Sequence, residues 1–406
     1  MTAGVEAQAP RLSSLEIAAG MPLGGVGARD LPRSIGRGPL AALEAAITPA
    51  LGRPPCLIAF SGGRDSSALL AVASRTARRS GLAEPIPATL RFSAAEAEEG
   101  HWQEMVLAHL GLSEWYRHEA GEELGLLGPV AREALDREGL LWPPNTHLLA
   151  PLLEAARGGS LISGVGGDEL FGGWRFARLG SALRGKARPG RAELRAAGRA
   201  LAPPPLRRRY LRGRSPRLRW LRAEAQRRFA AATCAAEAAE PVRWRPWVEW
   251  LAHHRYPALI RRSGETLARA HGAAVAYPFL DPGFLAEMRC LPAARRGERT
   301  TLMRTLFGGL LPEAVLSRTD KADFTAAVWT EETRALAERC RDGLAPEIAA
   351  LVDGEALAEQ WRSARPDFRS STLLQAGWLG RAGTAKSEPS GAGSVASLVR
   401  GGSGHG

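Results

Sequence analysis

Lysine is nearly absent from this chain of 406 residues: Lys186, Lys321 and Lys386 are the only three among 54 basic residues, so arginine carries almost all the positive charge. A preference this strong reflects coding bias, and it makes a lysine in a loaded position informative. Cysteine is sparse too. Cys56, Cys234, Cys290 and Cys340 lie far apart, with neither a Cys-x-x-Cys pair nor a nearby histidine pair, which argues against a disulfide framework and a zinc site. Thr2 in place of a cysteine removes an N-terminal thiol nucleophile. There is no run of about 18 apolar residues to span a bilayer, and Met1 to Asp30 holds no basic region followed by an apolar stretch. A cytoplasmic protein with no membrane partner is expected.

What is present is an ordinary globular composition, 45% hydrophobic and 24% charged, over a length that suits two or three domains. The formal charge of +12 would by itself nominate a nucleic-acid partner. It is not evenly spread. Residues 181–229 carry fifteen Arg and Lys186 against Glu193 and Glu224, a net of +14, which leaves the other residues at −2. Aromatic residues are few in that stretch, only Tyr210 and Trp220 before Phe229, so nucleic acid is a minor expectation there. A solvated helical insertion broken at Pro203-Pro204-Pro205 is the plainer one, with an acidic peptide or carrier protein as the functional alternative.

Along the chain, residues 1–37 and 383–406 are rich in Gly, Ala, Pro or Ser without sustained periodicity, and disorder is expected at both ends. Residues 38–180 alternate between short apolar runs and helical patterns: strands at Cys56–Phe60, Ile86–Phe92, Trp115–His118 and Ser160–Ser163, with helices between them. This predicts an α/β fold with a parallel sheet and helices on both faces. After the Arg-rich insertion 181–229, residues 230–382 read as mainly helical, with no further strand signal beyond Trp174.

Two glycine-rich loops follow strands. In Ser61-Gly62-Gly63-Arg64-Asp65-Ser66-Ser67, two glycines let backbone N–H groups turn towards an anion, three serines offer hydroxyls, and the following helix adds its positive end. Asp65 would repel bare phosphate, which suggests a magnesium ion between carboxylate and phosphates. The plain alternative is a glycine turn with a capped helix. The second loop is Ser163-Gly164-Val165-Gly166-Gly167-Asp168-Glu169-Leu170-Phe171-Gly172-Gly173. Its spacing does not fit the dinucleotide fingerprint, because Glu169 stands where the third glycine is needed. Ligands of open α/β sheets sit beyond the carboxyl ends of the strands, so both loops are expected to face one crevice, with Asp65 and Asp168 sharing a metal. A third stretch, Gly180 to Ala187, nearly spells a phosphate loop but has Ala187 where a hydroxyl is needed.

These residues carry a resemblance. The Ser61–Ser67 run resembles the pyrophosphate loop of the N-type ATP pyrophosphatases, and the Ser163–Gly173 run resembles the second signature of asparagine synthetases. Tyr277-Pro278-Phe279-Leu280-Asp281, Arg304, Leu311-Pro312 and Arg318-Thr319-Asp320-Lys321 agree in order, so the similarity to the synthetase domain covers about residues 55–330. The resemblance implies an adenine nucleotide α-hydrolase-like fold and an ATP-dependent amide ligase. A carboxylate attacks the α-phosphate of ATP, pyrophosphate leaves, and an amine then displaces AMP. Carried over by position, Ser61, Gly62, Gly63, Ser66 and Ser67 would cradle pyrophosphate, and Asp65 and Asp168 would hold Mg2+. Ser163 and Gly164 would lie against the nucleotide, and Lys321 would neutralise charge developing on the phosphate. A surface lysine beside Asp320 and Asp323 is the bland reading of Lys321.

The departures are as informative. Val165 stands where glutamine-dependent asparagine synthetases have Glu and β-lactam-forming synthetases have Tyr. Ala274 and Ala276 replace the acidic residue and the Arg expected before Pro278, and Glu265 is the nearest substitute carboxylate. About 55 residues precede the first strand, too few for the glutaminase domain. These losses favour relatives that join an amine to a carboxylate in a natural product, and residues 262–281 are partly similar to lasso-peptide cyclases. The expected substrate is a small-molecule or peptide carboxylate, with a separate glutaminase or a precursor peptide as partner. The rivals are a macrocyclase of lasso-peptide or β-lactam type, a non-catalytic ATP-binding scaffold and a nucleic-acid-binding protein.

Overall fold

A computed structural model describes residues 11–25, 31–92, 99–174, 176–177, 202–211, 214–319 and 325–387, with single positions or pairs between 190 and 198. A short helix α1 (Ser14–Ala19) and α2 (Pro39–Leu51) precede β1 (Cys56–Ala59), α3 (Arg64–Ser80), β2 (Ile86–Phe92), α4 (Gly100–Leu110), β3 (Tyr116–Ala120), α5 (Pro129–Glu138), α6 (Ala150–Ala155) and β4 (Ser160–Ile162). A fifth strand, β5 (Ala274–Ala276), follows much later. All five are parallel, in the order β3-β2-β1-β4-β5, with Leu57 opposite Ile86 and Leu161, and Ser160 opposite Ala274. The chain therefore runs outward from β1 in one direction and then returns to β1's other side. The place where the order reverses, between β1 and β4, is where an open parallel sheet forms a crevice at its carboxyl edge.

The alternation of side chains along a strand explains the layers. Cys56, Ile58 and Ile162 are buried against α2 and α3 on one face, with Leu43, Ile47, Leu69 and Val72 around them. Leu57 and Leu161 point the other way, to Leu152 and Leu153 of α6 and Leu267 of the helix Arg255–Ala270. A second apolar cluster, built from α1, Trp220, Phe229, Leu357, Trp361 and Leu373, joins the two ends of the chain to the helical part. No helix among the described residues is long and apolar enough to cross a membrane.

Three expectations need correction. Disorder through residue 37 fails at α1, where Ser13 and Glu16 form a reciprocal capping box. The buried Glu16 carboxylate also takes the Leu23 N–H at 2.6 Å and Arg255 at 2.6 Å, and Ala18 O accepts from the Trp220 indole at 2.8 Å. A composition rich in Ala and Gly hides such a capping signal. The stretch 181–229 is not solvated throughout: Leu218, Trp220, Leu221, Ala225 and Phe229 are buried, and the helix Ala223–Ala239 runs across its expected end. Finally, the strand signal does not stop at Trp174. Ala274-Val275-Ala276 is too short and too poor in β-branched residues to be read locally, and pairing with β4 makes it a strand. The Gly180–Ala187 stretch and residues 388–406 lie outside the described residues, whereas the last helix, Ser371–Ser387, runs past the expected boundary at 383.

Candidate active site

At the end of β1 the chain turns through Ser61, Gly62 and Gly63 into α3, whose N-cap is Gly63. Gly62 has φ of +81°, and a Cβ there would stand 2.9 Å from Gln103 Cγ, so both the backbone and the packing require glycine. Ser61 and Ser66 fasten the loop to itself. The Ser66 hydroxyl donates to Gly63 O at 3.1 Å and accepts the Ser61 N–H at 3.3 Å, while Ser61 Oγ accepts the Gly63 N–H at 3.3 Å. Gly63, Arg64, Asp65 and Ser66 line a cleft of about 350 Å³, so the positive end of a 17-residue helix opens on it. Ser67 faces the interior instead: it is fully buried, and its hydroxyl has no protein partner among the described residues.

The loop after β4 closes the opposite wall with Ser163, Gly164, Val165 and Asp168. Its glycines are set by contact with the first loop. A Cβ on Gly164 would lie 3.4 Å from Ser66 N, and one on Gly167 only 2.4 Å from Asp65 Cγ. Gly167→Ala is therefore expected to push the Asp65 carboxyl out of place and reduce turnover by about a hundredfold with the fold retained, since misplacement by about 1 Å costs that much. The catalytic rate measured beside a circular dichroism spectrum checks it. From Asp168 to Gly172 the chain makes one π-helical turn, anchored where Phe171 meets Phe279 and Phe307 edge to face at 5.1 and 5.9 Å.

Asp65 and Asp168, far apart in sequence, converge on one cation. Arg299, the first residue of the helix Arg299–Phe307, places Nη2 2.7 Å from Asp65 Oδ2 and donates through Nη1 to Asp168 Oδ1. Burial lifts the Asp65 carboxyl to about 6 against the pull of Arg299, with Asp168 adding to the rise. Burial opposes the charge of Arg299, yet Asp65 and Asp168 hold its guanidinium more firmly protonated than usual. The other Asp65 oxygen, Oδ1, is buried with no hydrogen-bond partner. Two carboxylates, one with an unsatisfied oxygen, form the hard donor set that magnesium takes together with phosphate oxygens and water. Among the described residues no group of three His, Cys, Asp or Glu side chains gathers to hold a metal by itself.

One further residue at the cleft, Glu99, is illegible in the sequence. Arg318 and Glu99 form a buried ion pair, 2.7 Å from Arg318 Nη2 to Glu99 Oε1, with the guanidinium 4.8 Å from the Trp102 ring and Nη1 donating to Gly62 O at 3.3 Å. The cleft wall continues to Thr319. Lys321 lies outside the described residues. Val165 packs beside Trp142, Leu259, Ile260, Tyr277 and Leu280. On the same side Tyr256 donates to Glu169, and burial, then that carboxylate, keeps its hydroxyl protonated. Glu265 is exposed and does not line the cleft, while Ala274 and Ala276 are half-buried in β5.

No curated protein matches the chain. The family model for asparagine synthase matches residues 40–379, from α2 to the last helix, beyond the span of 55–330 that the motifs delimit. Both glycine-rich loops, the parallel sheet that brings them together and the helical part fall within it, and the chain thus belongs to the asparagine synthase family of ATP-dependent amide ligases.

Proposed function

We propose that the protein joins a carboxylate to an amine in two steps, releasing pyrophosphate and then AMP. The observation that supports this most directly is the convergence of Asp65 and Asp168 on one cation between the carboxyl ends of β1 and β4. A substrate carboxylate oxygen attacks the α-phosphorus, and the bond to the bridging oxygen breaks so that pyrophosphate leaves. The amine nitrogen then attacks the acyl carbon, AMP departs with that carboxylate oxygen, and the nitrogen loses a proton. Bound magnesium would neutralise phosphate oxygens and hold them in line for displacement. Asp65 and Asp168 would hold it. Ser61, Gly62, Gly63 and Ser66, with the N-terminus of α3, would receive the pyrophosphate, with Arg64 adding charge at the same wall. Ser163 and Gly164 would lie against the nucleotide. Ser67 supports the loop from behind. Lys321 would stabilise charge at the reacting phosphate, following the resemblance.

The apolar packing of Val165 favours an amine carried by the substrate over free ammonia, because no ionisable side chain at that position is available to take a proton from ammonium. This supports the macrocyclising reading over asparagine formation. The test is isotopic. With ATP, magnesium and a carboxylate labelled with 18O, one labelled oxygen is expected in AMP, read by mass spectrometry. ADP as product, or AMP without label, overturns the two-step reading. Nucleotide binding without turnover on any carboxylate and amine pair would favour the scaffold, and tight, steeply salt-dependent nucleic-acid binding that weakens when Arg207, Arg208 and Arg209 are neutralised would favour the third rival.

A further inference from the structure

The two carboxylates assigned above to magnesium already share one cation of this chain. Arg299 divides its guanidinium between them, one nitrogen on Asp65 and one on Asp168, where an arginine serving a single partner would place both on one carboxylate. The arrangement is held from both sides. Phe307, at the far end of the Arg299 helix, meets Phe171 of the π-helical turn that carries Asp168 edge to face, and Asp65 is pinned under Gly167. Arg299 and Asp65 are 22% and 13% exposed in their side chains, so water competes little for them. Arg64, the next cation along the wall, is turned to Thr300 at 3.2 Å.

We propose that Arg299 is a positioning residue that occupies the divalent cation's seat between Asp65 and Asp168 until nucleotide arrives. The proposal rests on the ligase reading for the identity of the cation. A guanidinium and a divalent ion repel each other and cannot share that gap, so metal alone must displace Arg299 without compensation. Metal that enters on the nucleotide brings phosphate oxygens, which offer the displaced guanidinium new acceptors. Metal and nucleotide then load together, and the carboxylates stay in register in between.

Mn2+ binding followed by electron paramagnetic resonance, with no nucleotide present, tests this on the full chain. The wild type is expected to bind Mn2+ weakly and to gain at least about tenfold in affinity when α,β-methylene-ATP is added. Arg299→Ala and the bulkier Arg299→Gln are expected to bind Mn2+ alone at least about tenfold more tightly than the wild type, and adding Asp65→Asn should remove that gain. Equal Mn2+ affinity in wild type and folded variants overturns the proposal. If neither variant folds, wild type that binds Mn2+ as tightly without nucleotide as with it overturns it equally. Because the readout needs no turnover, a chain that behaves as expected towards Mn2+ yet never forms AMP refutes the ligase reading alone.

Discussion

Asp65→Asn and Asp168→Asn are each expected to lower turnover by about a thousandfold or more. On the proposed reading each replacement would remove a negative oxygen ligand from a shared divalent cation, and a cation of this kind supplies several kcal/mol of charge stabilisation, with about 1.4 kcal/mol for each tenfold. The two differ in their effect on the fold. Asp168 is 46% exposed in its side chain, so its loss changes stability little. Asp65 is largely buried, and its carboxyl, lifted to about 6, is held charged at neutral pH against desolvation. Asp65→Asn removes that burden while it also weakens the hold of Arg299, and the two effects offset one another. Pyrophosphate release, with urea unfolding as the control, measures both. Wild-type rates in either variant would mean that the two carboxylates do not hold one metal.

Arg318→Met is expected to destabilise the protein by about 3–5 kcal/mol, because the buried Glu99 carboxylate would lose its ion pair with Arg318. The side chains of Arg318 and Glu99 are 4% and 6% exposed, which places the pair among those for which losing one partner is costly. Adding Glu99→Gln in the same chain is expected to recover much of the loss, since the cost lies in a buried carboxylate that has lost its ion pair with Arg318. The double-mutant cycle in urea gives the coupling directly. Additive effects would show that the pair does not act as a unit. Arg318 also donates to the Gly62 carbonyl, so the single variant should weaken nucleotide binding beyond what instability explains.

The elements that were legible have short-range causes. Proline before an apolar run, glycines after it and a helical pattern next define β1, the Ser61–Gly63 turn and α3 from neighbours alone, and the observed strand ends at Ala59, next to the expected Phe60. The same holds for β4 and the Ser163–Gly173 loop. The segment between β3 and β4 is less regular than its periodicity suggests. In place of one continuous helix it holds a 3-10 turn at Glu122–Leu124 followed by α5, because Gly125 and Gly128 interrupt it. Gly125 has to remain small: a Cβ there would meet Thr330 Oγ1 at 2.5 Å, a contact made by a part of the chain two hundred residues away.

The sequence by itself determined the parallel α/β core, the two glycine-rich loops and the residue types they offer, since each depends on spacing within about twenty residues. Only the tertiary structure decided which cation faces Asp65 and Asp168, which carboxylate answers Arg318, that Ala274–Ala276 is a strand and that α1 is packed into the helical core. The reason is physical. Among 51 arginines, composition cannot single out the one whose guanidinium reaches two aspartates. That choice rests on long-range packing, in which the Arg299 helix is seated against Phe171 and β4 is paired with β5, and no local pattern encodes it.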